Sequence, residues 1–190
     1  MNRWLPVILI FAILAAFRVV GSMLATSFPN FQPLPALLLC SVVFLHGRQR
    51  WALPLFVWLV TYPFTSYLQG YSIFRVDVLL SQILGISAIV GIALWTRRNP
   101  SMPRTLGASL LAAGIFYFLT NLVSFSLDPL YAKTWEGFTR AQWTGPTSMG
   151  PTWIFLRNLA AANFLFTGIF LLARKSLPIS ETAPAPVLAR

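Results

Sequence analysis

The sequence predicts an all-α integral membrane protein with six transmembrane helices and both termini cytoplasmic. Three observations lead there. Charge is scarce: the 190 residues hold 14 Lys and Arg and 4 Asp and Glu, and 57% are hydrophobic. A soluble domain carries roughly 25% charged residues, against 9% here. Apolar runs approaching the ~20 residues that cross a hydrocarbon core recur six times along the chain. The basic residues concentrate in every second gap between those runs, the pattern left when cytoplasmic loops retain Lys and Arg.

Leu5–Leu24 is the first span, interrupted by Arg18. Arg3 followed by this run also resembles a secretory signal, but no clear small-x-small cleavage site lies before Thr26, so the run reads as a retained helix. Leu34–His46 is the second and shortest span. Extended back to Phe31 it reaches a marginal length, with Pro33 and Pro35 in a first turn that tolerates proline. A re-entrant segment is the competing reading. Trp51–Leu68, Val76–Trp95, Leu106–Phe125 and Thr152–Ala173 complete the six. Gly85 and Ala88 on span four, and Gly107, Ala108, Ala112 and Gly114 on span five, allow close helix approach. Residues 1–175 read as one transmembrane domain, and 176–190, rich in Pro and Ala, as a disordered cytoplasmic tail.

Six spans from a cytoplasmic N-terminus place Arg3, Arg48, Arg50, Arg97, Arg98, Arg104, Arg174, Lys175 and Arg190 inside. Outside stand Arg75, Lys133 and Arg140, with Arg18 and Arg157 near outer span ends. Tryptophans agree, since indoles favour the headgroup boundary: Trp4, Trp51 and Trp95 fall at inner ends, Trp135, Trp143 and Trp153 at outer ones.

Composition also narrows function. A net charge of +10 invites a nucleic-acid reading, but the basic residues are dispersed in pairs at span ends and form no face, so no nucleic-acid partner is expected. Cys40 is the only cysteine, which rules out an intrachain disulfide. One His and four acids make a metal-hydrolase site unexpected, and no Gly-rich phosphate loop, paired-carboxylate motif or H-E-x-x-H stands in the chain. Neither an enzyme activity, a metal nor a cofactor is expected.

Polar residues on these helices collect in the outer half. Tyr117, Asn121, Ser124 and Asp128 form one stripe by their spacing on span five. Asp77, Ser81 and Gln82 lie at the outer end of span four, and Thr61, Tyr62, Thr65 and Ser66 at that of span three. Arg157 and Asn158 open span six, and Asn30 and Gln32 come from the first outer loop. The inner halves are almost purely aliphatic or small. Ionisable groups in lipid cost about 2.5–3.5 kcal/mol each on insertion scales and usually face a partner or a cavity. There Arg18 and Arg157 could pair with Asp77 and Asp128 around an outward pocket. Snorkelling to the interface, or cross-linking of helices, is the alternative. Ser126–Thr152 is too long for a simple connector and reads as a surface segment or a lid around Tyr131 and Lys133.

Three stretches carry a resemblance. Pro29-Asn30-Phe31-Gln32-Pro33-Leu34-Pro35-Ala36-Leu37, Phe116-Tyr117-Phe118-Leu119-Thr120-Asn121-Leu122 and Tyr131-Ala132-Lys133-Thr134-Trp135-Glu136-Gly137 resemble, in order and spacing, motifs of a family of small, uncharacterised bacterial membrane proteins. Arg157-Asn158 falls where that family has an Arg-Asn or similar pair. That family in turn resembles the S-components of energy-coupling-factor vitamin transporters. The resemblance implies an S-component-like bundle in the bacterial cytoplasmic (inner) membrane, and uptake of a vitamin or related micronutrient. It further implies docking of a transmembrane coupling subunit with its ATPases on an Ala-x-x-x-Ala face, here Ala12 and Ala16. Tyr62-Pro63 stands where an acidic residue would fall, and Ala132 where the loop would carry Pro. The candidate ligand-binding set is Arg18, Asn30, Gln32, Tyr117, Asn121, Tyr131, Lys133, Arg157 and Asn158. A non-transporting assembly protein and, last, an enzyme using Asp77 or Asp128 are the rival readings.

Overall fold

The computed structural model describes residues 5–23, 27–70, 72–146 and 150–176. Of the expected tail 176–190, Ser176 closes α7; the rest of it, and Arg3, Trp4 and Leu24, lie outside the described residues. These form seven helices: α1 Leu5–Met23, α2 Leu34–Phe44, α3 Gln49–Leu68, α4 Val76–Arg97, α5 Met102–Leu127, α6 Trp135–Gln142 and α7 Trp153–Ser176. Three of them, α4, α5 and α7, are long and apolar enough to cross a membrane. At 1.5 Å per residue, α4 and α5 reach roughly 33 and 39 Å.

Large apolar side chains cover the outside. Phe56, Val60 and Phe64 on α3, Ile83 on α4, and Phe164 and Ile169 on α7 are all more than half exposed. A water-soluble surface rarely presents such continuous apolar area; a bilayer is the solvent that suits it.

The second span departs most from its sequence reading. Its helix stops at Phe44 and does not extend back to Phe31, giving 11 residues, about 16 Å. That helix alone is half a membrane thickness. It is apolar on all sides because it is buried on all sides: Leu34 through Val43 are buried without a break. It forms the axis of the bundle, with α3, α4, α5 and α7 packed round it. Leu39, Val42, Ile89, Ala93, Ala112 and Leu159 are at most 1% exposed in this core. Small residues make the approach possible. A methyl on Gly85 would run into the ring of Phe116, so glycine lets α4 and α5 meet there.

The C-terminus of α2 lies level with that of α4. Arg97 Nη1 donates to the carbonyls of Val42, Val43 and Leu45 at 2.6, 3.3 and 2.8 Å, satisfying carbonyls that a helix end leaves open. Arg174 lies over the Phe44 ring at 4.3 Å and Arg104 over Trp95 at 4.1 Å. One end of the bundle thus gathers Arg48, Arg50, Arg97, Arg98, Arg104 and Arg174. Because α2 has half the length of α4, it fills the axis only in the half toward this basic end. The segment 27–33 occupies the other half.

Two expectations about polar placement are corrected. The half near the basic end holds more than aliphatic and small residues: Thr96, Thr105, Asn163 and Thr167 are wholly buried there beside the small Ser41 and Ser109. Most of their polar hydrogens return to the helix itself, as with Thr96 to Ile92 O and Asn163 to Leu159 O, both at 2.8 Å, while Asn163 Oδ1 and Thr167 Oγ1 are buried without a well-formed hydrogen bond. Nor does Arg157 pair with Asp77 or Asp128. Asp77 bridges to its neighbour Arg75 at 2.8 Å, and Asp128 Oδ1 accepts the Leu130 N–H at 2.9 Å.

Candidate functional site

At the N-terminal end of α2 a half-open cavity of about 300 Å³ begins. This is the lower bound of the ~300–1,000 Å³ usual for small-molecule pockets. Arg18, Gly21 and Ser22 of α1, Thr65 of α3 and Gln69 just after α3 form one wall. Val78, Ser81 and Gln82 of α4, Phe116 and Thr120 of α5, and Phe155 of α7 form the other. The segment Pro29–Gln32 closes the space between them.

That segment is held from three sides. Gly21 leaves no room for a Cβ, because one would overlap the Phe31 carbonyl oxygen. Asn158 Nδ2 donates to Pro29 O at 3.0 Å. Asn30 adopts φ 62°, the left-handed region that Asn accepts more readily than most residues, and its Oδ1 accepts from Gln32 Nε2 at 2.8 Å.

Arg18 is 3% exposed and is the only formal charge among the described lining residues. Gln82 Oε1 accepts from Trp58 Nε1 at 2.5 Å, which fixes the amide, since an indole can only donate. Trp58 in turn stacks on Tyr62 with ring centres 5.1 Å apart. Trp58, midway along α3, thereby braces a pocket residue.

The predicted residues divide into two groups. Arg18, Asn30 and Gln32 line the cavity, and Asn158 anchors its loop from behind. Arg157 supports Asn158, donating from Nε and Nη2 to its Oδ1 at 3.3 and 3.2 Å. Tyr117, Asn121, Tyr131 and Lys133 are elsewhere, on the α6 side of α5. The Tyr117 hydroxyl donates to Gln142 O at the end of α6. Asn121 and Thr152 stand beside that hydroxyl, and Asn121 Nδ2 and Thr152 Oγ1 are buried without a well-formed hydrogen bond of their own. Lys133 Nζ donates to Phe125 O and to Asp128 O, closing the C-terminus of α5, where a cation suits the helix dipole. Tyr131 is buried, and burial, with Asp128 nearby, pushes its phenol above the usual range while Arg140 offsets part of the rise.

The segment read as a lid is a short amphipathic helix set against the flank of α5. Thr134 caps it, accepting the Gly137 N–H at 3.2 Å. Gly137 is required because a Cβ there would overlap the Ala132 carbonyl. Phe138 packs between Phe125 and Trp135, at 5.5 and 5.4 Å between ring centres. Trp135 and Trp143 point outward, exposed. No residue of α6 lines the cavity.

Ser22, Thr65, Gln69, Ser81, Gln82 and Thr120 are lining residues outside the predicted set. Polar side chains inside an otherwise apolar run were the available signal for Thr65, Ser81 and Gln82. Ala12 and Ala16 are exposed on α1, one turn apart. Cys40 is fully buried on α2, beside Thr167.

The model of a family of unknown function (DUF6580) matches residues 1–183, nearly the whole chain. No curated protein and no solved structure matches it.

Proposed function

The chain belongs to the DUF6580 family, whose function is unknown, and from that premise we propose that it is a multi-pass membrane protein holding a small solute in the cavity above α2. In this reading the chain crosses the bilayer six times, the second crossing being shared by the segment 27–33 and α2. The basic end faces the cytoplasm, because Lys and Arg are retained there, and the cavity opens outward. The membrane is the bacterial cytoplasmic membrane, and the activity is S-component-like uptake of a micronutrient. The proposal is of binding and movement without catalysis.

The observation that carries it is a polar cavity of about 300 Å³ inside a bundle with an apolar exterior. Arg18 and the amides of Asn30, Gln32 and Gln82 gather round this space, and an ionisable group buried among apolar helices usually faces a partner or a cavity. Native mass spectrometry of the purified protein is the test. A small molecule bound to the wild type and lost in Gln82→Leu supports the proposal. A wild type carrying no small molecule, with every cavity variant indistinguishable from it, overturns it.

A second reading, a membrane assembly protein without transport, draws on the exposure of Ala12 and Ala16. The same surface serves the first reading as the docking face for a coupling subunit with its ATPases. Uptake separates the two: Ala12→Leu with Ala16→Leu abolishes solute uptake in cells if the face docks a transport module, and leaves it unchanged if no transport occurs.

A further inference from the structure

We infer that the cavity takes a solute combining an anionic group, a carboxylate or a phosphate, with N–H or O–H donors. The inference rests on the binding reading above and names its ligand class. It comes from the charge and hydrogen-bonding character of the lining groups.

Positive potential has two sources. Arg18 is 3% exposed in the cavity wall, so its charge acts in a low-dielectric setting that strengthens it. α2 begins at Leu34, two residues after Gln32 lines the cavity, and its N-terminal, positive dipole end is directed toward that space. Its cap, Pro33, offers no side-chain hydrogen bond. No Asp or Glu stands among the described lining residues. The nearest acid in sequence, Asp77, is paired with Arg75.

The hydroxyls are committed in one direction. Ser22 donates to Arg18 O at 3.1 Å, Thr65 to Tyr62 O at 3.1 Å, Ser81 to Val78 O at 2.8 Å and Thr120 to Tyr117 O at 3.0 Å. Each has spent its only proton on its own helix, leaving oxygen lone pairs for a ligand. These four positions therefore accept and do not donate. Gln82 is the reverse: its oxygen is taken by Trp58 and its NH₂ remains to donate. Phe31, Phe116 and Phe155 add apolar faces. A ligand satisfying the whole set places an anion at Arg18, donors at the hydroxyls and an apolar body between the rings.

The test uses the full chain in nanodiscs of phosphatidylcholine alone, with the bound small molecules released and identified by mass spectrometry. A species bearing a carboxylate or phosphate is expected. Its occupancy should fall at least about tenfold in Arg18→Gln, the loss of a charge-assisted hydrogen bond, and less in Arg18→Lys. Millimolar inorganic phosphate should displace it from the wild type where equal chloride does not, and this arm decides the matter if Arg18→Gln does not fold. A neutral or cationic species, indifferent to Arg18→Gln and to phosphate yet lost in Gln82→Leu, overturns the inference and leaves the binding reading standing. A phospholipid in the cavity overturns the solute by assigning the anion to a headgroup. An empty wild type overturns both.

Discussion

Seven residues apart on one face of α4, Gln82 and Ile89 report two different interiors. Ile89 is 1% exposed and packed against α2. Gln82 faces a cavity. The surrounding helices continue through both levels; only the filling of the axis changes. Around Ile89 it is α2, a helix whose backbone groups between its two ends pair with one another, with small neighbours drawn close. Around Gln82 it is the segment 27–33, whose open backbone demands side-chain partners and leaves space. The length of one helix thus divides the bundle into a packed half and a binding half. Four substitutions would break or sharpen that division.

The largest effect belongs to the packed half. Leu39→Ala removes a wholly buried side chain from the axis and should destabilise by about 2–5 kcal/mol, the range for such cavities, measured by reversible unfolding in SDS. A loss under 1 kcal/mol would show the axis to be loosely packed. Gly21→Val comes next. Its Cβ meets the Phe31 carbonyl, so the segment 27–33 must move, at a cost of about 1–3 kcal/mol. Solute retention should fall while hydrogen exchange around Leu39 stays slow; accelerated exchange there would mean the halves are not separable.

Asn158→Ala removes the bond to Pro29 O and should cost about 1 kcal/mol, with faster hydrogen exchange confined to 27–33. Unchanged exchange would deny Asn158 its anchoring role. Lys133→Met has the smallest expected effect. It opens the C-terminus of α5 and should cost less than about 1 kcal/mol, with solute retention intact. Lost retention at full stability would restore Lys133 to the ligand site.

How much of this was legible in the sequence differs between the halves. The long apolar helices were, because their run lengths and flanking charges are local signals: the predicted Val76–Trp95 lies within α4, and the predicted Leu106–Phe125 within α5. Arg18, Asn30 and Gln32 were legible as polar groups that interrupt or join apolar runs. The stripe on α5 was not. Spacing correctly puts Tyr117 and Asn121 on one face, but it cannot say which neighbour that face meets. Packing of α6 turns them away and presents Phe116 and Thr120, one position earlier, to the cavity. Likewise Arg97 reads as an orientation signal, while its bonds to the end of α2 depend on a contact 55 residues distant. The shortness of α2 was visible; its central position, which makes the cavity, was not.

Accessibility of those two α4 positions tests the division most directly. In a Cys40→Ser background, Gln82→Cys should react in intact cells with a small charged methanethiosulfonate added outside, and preincubation with the identified solute should slow it. Ile89→Cys, on the same face, should stay unreactive. Equal protection of both positions, or labelling of Gln82→Cys only after permeabilisation, would contradict an outward cavity above a packed core.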